Sequence, residues 1–167
     1  ACQDALSSFG GEAPDVAIIF ASVQYDQEKM LAGARSVVPN ALIVGASTAG
    51  EITTEGPLPK HSVAAMLIKS DTVKFIGGVG ENIAANPRDA GKKAADDVKS
   101  NAGTDLKAFM MFPDVLVGNG AEIVRGVLDS LGEHFPVVGG AAGGDFKFVK
   151  TYQYLNEQVY SGAVGGL

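Results

Sequence analysis

The sequence predicts an α/β (or α+β) fold made of duplicated β-α-β plus hairpin units, forming a mixed sheet or two packed sheets with helices outside. Three observations carry this expectation. Short, nearly unbroken apolar runs alternate with amphipathic stretches, the pattern of strands buried on both faces between covering helices. A glycine-rich segment recurs at a constant offset of 94, Gly45 to Glu51 matching Gly139 to Asp145. Turn residues close most of the runs.

Residues 15–22 form the first apolar run, a buried strand. Asp26 caps a helix over 27–38, whose Met30, Leu31, Ala34, Val37 and Val38 share one face, and Pro39-Asn40 ends it. Residues 41–46 are a second buried strand, followed by the small, hydroxyl-bearing loop Ser47-Thr48-Ala49-Gly50-Glu51. After the break Gly56-Pro57-Leu58-Pro59, runs 62–69 and 73–78 read as a hairpin turning at Ser70-Asp71. Asn86 caps an exposed helix over 87–99 with Pro87 in its first position, and 100–105 is a polar connector. The opening order then returns as strand 106–112, helix 120–131 and strand 137–140. Asn119 and Glu122 suit a capping box, and Gly132 suits a stop. The tail, 148–155 and 158–164, reads as a hairpin turning at Asn156-Glu157.

One domain is expected over residues 1–167, with the repeated units at 15–80 and 106–164. At 167 residues the chain can bury a core without disulfides or metal. Its 46% hydrophobic and 19% charged residues exclude a disordered chain. A net charge of −6 with no basic run beyond two residues argues against nucleic acid and anionic membrane as partners. The single cysteine, Cys2, permits no internal disulfide and fits a reducing, cytoplasmic setting. No membrane span or signal peptide is visible. The chain starts at Ala1 without a methionine and ends in Gly165-Gly166-Leu167, so it reads as a fragment of a longer protein.

Small molecules bind α/β proteins in crevices beyond the strand C-terminal ends. If the repeat brings its two glycine loops together, Ser47, Thr48, Glu51 and Asp145 face one cleft. Asp114 and Asn119, in the second strand-to-helix loop, lie at the same sheet edge. Two carboxylates there suit a ligand's ammonium group or acid–base work. They equally suit the capping of local backbone amides, and Asn119 the capping of its helix. Catalytic motifs do not fit. Ala49 stands where a nucleophile elbow needs its last glycine, and Glu51 where a phosphate loop needs lysine. Gly78-Val79-Gly80-Glu81-Asn82-Ile83 lacks the third glycine of a dinucleotide fingerprint. His61 and His134 occupy non-equivalent places, and no metal-ligand spacing is present.

The series 15–22, Tyr25-Asp26, Ile43-Val44-Gly45-Ala46-Ser47-Thr48-Ala49-Gly50-Glu51 and Pro136-Val137-Val138-Gly139-Gly140-Ala141-Ala142-Gly143-Gly144-Asp145 resembles the N-terminal region of FIST (F-box and intracellular signal transduction) domains. The resemblance implies a non-catalytic sensory input domain for a small molecule, such as an amino acid or related metabolite. It also implies two partners in the same protein, the family's C-terminal half and an output domain. A homodimer is compatible with it. Some family members bind haem. The two histidines here are poorly placed for that, and no cofactor or metal is expected. The alternatives are a hydrolase or transferase using Ser47 with Glu51 or Asp145, and a docking domain without a small ligand.

Overall fold

The computed structural model describes residues 1–58, 61–102 and 105–167. Pro59 of the expected break and Gly103 and Thr104 of the expected connector lie outside the described residues. The elements run α1 (Cys2–Ser7), β1 (Val16–Ser22), α2 (Gln27–Val37), β2 (Leu42–Thr48), β3 (Ile52–Thr53), β4 (Gly56–Pro57), β5 (Val63–Ile68) and β6 (Gly78–Gly80). Then follow α3 (Pro87–Ala102), β7 (Phe109–Pro113), α4 (Gly120–Leu131), β8 (Val137–Gly139), β9 (Gln153–Leu155), β10 (Gln158–Tyr160) and β11 (Val164–Gly166).

Two sheets, ordered β10-β9-β2-β1-β5 and β6-β11-β7-β8, pack face to face with helices on both outer sides. Between them Val16, Ile18, Val44 and Ala46 of the first sheet meet Phe112 of the second. The rings of Phe20 and Phe112 stand edge to face at 5.7 Å. On one outer face Leu31 and Ala34 of α2 cover Ile19, Ile43 and Tyr154, with Cys2 of α1 beside them. On the other, Ala90, Ala94 and Ala95 of α3 and Ile123 and Val127 of α4 cover Phe109, Met111 and Val164. Each fully buried Ile, Leu or Phe contributes roughly 1.5–3 kcal/mol by leaving water. Small residues let α3 lie close. A methyl group on Gly91 would stand 2.1 Å from the Ile123 carbonyl oxygen, and one on Gly126 would stand 1.9 Å from that of Arg88.

Helix starts follow the expected chemistry. Asp26 accepts from the Lys29 amide, Asn86 from that of Asp89, and Asn119 from those of Ala121 and Glu122. Glu122 does not complete a capping box; its carboxylate pairs with Arg125 and approaches Arg88. α3 runs three residues past its expected end to Ala102, and the short α1 is additional to the expected elements.

The hairpins depart further from expectation. Residues 73–77 form no strand, and β6 pairs with β11 in the second sheet rather than with β5. β5 itself runs antiparallel to β1. The tail hairpin β9–β10 does form, with Asn156 at φ 54° in its two-residue turn. It joins β2 in the first sheet, not its own half. Arg35 fastens this turn to the end of α2, donating to Asn156, Glu157 and the carbonyls of Val38, Pro39 and Ala41. After Gly162 the chain crosses back as β11 between β6 and β7. The glycine-rich end is thus a strand. The ring of Phe109 fills the place a side chain on Gly166 would need, 2.4 Å away.

Candidate functional site

β1 and β2 are parallel, as are β7 and β8. Gly45 lies opposite Ile19, and Gly139 opposite Met111. Both glycines have positive φ, 148° and 145°. In both, a Cβ would meet the carbonyl oxygen of the opposite residue, at 1.9 and 2.0 Å. Only glycine fits such an approach; Gly45 sits within β2 and Gly139 ends β8.

The two loops meet. Ser47 is fully buried; its hydroxyl donates to the Gly143 carbonyl at 2.7 Å and accepts from the Tyr152 amide at 2.8 Å. The Gly143 amide donates back to the Ser47 carbonyl at 2.8 Å, and the Asp145 amide to that of Thr48 at 3.3 Å. A side chain on Gly143 would strike the Ala49 nitrogen at 2.7 Å. The loops therefore join directly rather than facing each other across an open hollow. Ser47 is a tie, with both hydroxyl functions engaged in holding the two segments together.

The carboxylates lie to the side of this tie. Asp145, at φ 51°, accepts from Ser22 Oγ and Gln24 Nε2, both at 2.8 Å. Partial burial pushes its carboxyl up, but the Gln24 and Ser22 donors, with the charges of Lys147 and His61, outweigh this and hold it below the usual range. Glu51 is buried and accepts from the hydroxyls of Thr48 and Ser62. The Ser22 amide donates to the Ser62 carbonyl at 3.1 Å. Paired serines therefore stand between the two acids. Among the described residues neither acid forms an ion pair with lysine or arginine.

The other two expected residues serve the backbone. Asp114 is buried and accepts from the amides of Leu116 and Gly162, both at 3.0 Å. Asn119 is exposed and caps α4. Among the described residues no hydrogen bond joins the side chain of either to Glu51 or Asp145. Sequence reasoning passed over Ser22, Gln24 and Ser62. Ser22 ends β1, so its strand-end position was legible; Ser62 comes near it only through the β1–β5 pairing.

Two cavities lie at the other end of the sandwich, where the parallel strands begin. One of about 230 Å³ is lined by residues of 11–14 and 37–41 with Leu6. The other, of about 520 Å³, includes Phe75, Ile76, Leu106, Met110 and Val138. None of the six expected site residues lines either. Among the described residues no three His, Cys, Asp or Glu side chains gather to hold a metal. His61 and His134 are exposed and line neither cavity, a donor set that does not fit a haem. No helix among the described residues is long and apolar enough to cross a membrane.

The family model described as the FIST N domain matches residues 15–167, nearly the whole chain, and the chain belongs to that family of signal-transduction sensory domains. No curated protein matches it.

Proposed function

We infer that the chain is a small-molecule sensing input domain whose ligand carries an ammonium group, an amino acid or related metabolite. The observation that carries this reading is the pair Glu51 and Asp145. They flank Ser22 and Ser62, accept hydrogen bonds from hydroxyl donors, and pair with no lysine or arginine among the described residues. A ligand cation supplies that partner. Thr48 and Gln24 offer further polar contacts, while Ser47 holds the loops in place and Asp114 and Asn119 shape the neighbouring one.

Sensing needs an element whose two states bind the ligand differently. The segment after Asp145 suits this role. Phe146 and Phe148 have φ of 59° and 54°, uncommon for bulky side chains, and both are 75% exposed. Ligand at Asp145 would bias this segment, and the change would pass to the family's C-terminal half and an output domain in the cytoplasm. The two β-α-β units, with glycines at matching positions, are read as an internal repeat.

A thermal-shift screen against amino acids and related acids and amines tests the reading. A ligand at 100 times its Kd adds about 2.7 kcal/mol of stability. Stabilisation by a cationic ligand in the wild type, lost in Asp145→Asn, is the expected result. No shift across the panel overturns it. A docking domain without a small ligand is the second reading, favoured by the exposed Ile52, Phe146, Phe148 and Val149.

A further inference from the structure

The two parallel pairs differ in what lies beyond them. The outer edge of β2 is covered by β9, with Gly45 opposite Tyr154 and Val44 opposite Leu155. The outer edge of β8 has no strand beside it among the described residues. β8 is exposed there, Val138 by 54%, with Gly139, Gly140 and Ala141 following.

The correspondence is residue by residue. Gly45 and Gly139 hold the same place against β1 and β7, so Ile43 matches Val137 and Val44 matches Val138. Ile43 and Val137 both pack toward the helices. Val44 faces the other sheet, and alternation turns Val138 the same way. In β2 the main-chain groups facing outward belong to Ile43, Gly45 and Ser47; Ile43 and Ser47 bond to Asn156 and Tyr152, and Gly45 lies opposite Tyr154 between them. The matching groups on the free edge belong to Val137, Gly139 and Ala141, because Phe109 takes the Pro136 carbonyl and the Met111 carbonyl takes the Gly140 amide.

A second feature lies at the same edge. Val138 lines the cavity of about 520 Å³ with Phe75, Ile76, Leu106 and Met110. The template shows how such spaces fill. Tyr154 lies across the bare backbone of Gly45 on the helix side, and Leu155 packs between the sheets.

We propose that the β8 edge binds an extended segment of another polypeptide by antiparallel strand addition. The segment places an aromatic residue opposite Gly139 and an aliphatic one opposite Val138, as Tyr154 and Leu155 do on β2. Main-chain hydrogen bonds supply the registration, and the aliphatic side chain enters the cavity. A second copy is a poorer occupant. Two β8 edges would share about five residues each, roughly 17 Å of strand, which buries far less than the ~800 Å² per partner of a stable interface. Self-pairing also sets Val138 against its own copy, with no aliphatic chain free for the cavity.

The test uses a synthetic peptide of the chain's own residues 151–161, which carries the template hairpin. Binding is followed by calorimetry and by hydrogen exchange at residues 137–141. The expected result is 1:1 binding with slowed exchange there. Val138→Lys, an exposed change that charges the edge, should weaken it about tenfold or more. Val124→Lys, exposed on α4, should leave it unchanged, and circular dichroism checks both folds. Absent binding, equal binding by Val138→Lys, or sedimentation showing β8-dependent dimers without peptide would each overturn the proposal.

Discussion

The hydroxyl of Ser47 donates to the Gly143 carbonyl at 2.7 Å, and the amide of Gly143 donates back to the Ser47 carbonyl at 2.8 Å. This exchange binds the end of β2, which runs on through the expected loop residues Ser47 and Thr48, to the loop after β8. It leaves the two acids beside the joint rather than across a gap, and it makes the serine structural.

Ser47→Ala removes a donor and an acceptor from a fully buried position, orphaning the Gly143 carbonyl and the Tyr152 amide. Each buried polar group left without a partner costs about 1–3 kcal/mol. Urea denaturation should show a loss of about 2–4 kcal/mol. A serine-reactive phosphonate should leave wild-type Ser47 unlabelled, and labelling at that residue would restore the enzyme reading.

Gly45→Ala and Gly139→Ala should each destabilise by about 3–5 kcal/mol. Both combine positive φ with a Cβ at 2.0 Å or less from a carbonyl oxygen in the sheet. Gly33→Ala is the contrast. Gly33 is helical and exposed with nothing within 4 Å, so alanine should stabilise by about 0.5–1 kcal/mol. Thermal melts of the three variants check the ranking.

Tyr154 is buried, its phenol donates to Gln27 Oε1, and burial pushes its pKa well up. Tyr154→Phe keeps the ring over Gly45 but leaves the Gln27 oxygen without that donor. The expected loss is about 1–3 kcal/mol by denaturant titration. In the wild type, phenolate absorbance for this residue should not develop below strongly alkaline pH.

The Asp145 carboxyl lies below its usual range in the folded chain. Its contribution to stability is therefore full above the unfolded value of about 3.9 and fades as pH falls through the lower folded value. Asp145→Asn should be less stable than wild type at pH 7 by about 1 kcal/mol. The difference should narrow on acidification below about pH 4. A gap constant down to pH 2 would contradict the assignment.

The layers were legible because β1, β2 and β7 are buried on both faces, and because Asp26, Asn86 and Asn119 cap their helices from the sequence. Strand partnership was not legible. β6, β9 and β11 are three residues each, and their choice of sheet depends on long-range pairings such as Gly165 beside Phe112. The candidate site was legible in its two loops. Their direct joining was not, because it depends on Gly143 coming within reach of Ser47. Ser62 escaped notice because its role arises from a neighbour forty residues earlier in the chain, Ser22.

Titration of the isotopically labelled chain with cationic and zwitterionic amino acids, followed by backbone amide NMR, tests the ligand claim most directly. Saturable shifts centred on residues 22–24, 48–51, 62 and 145, absent in Asp145→Asn, are the expected result. Shifts confined to the opposite end, around residues 72–76 and 105–110, or no saturable shifts with any ligand, would contradict it.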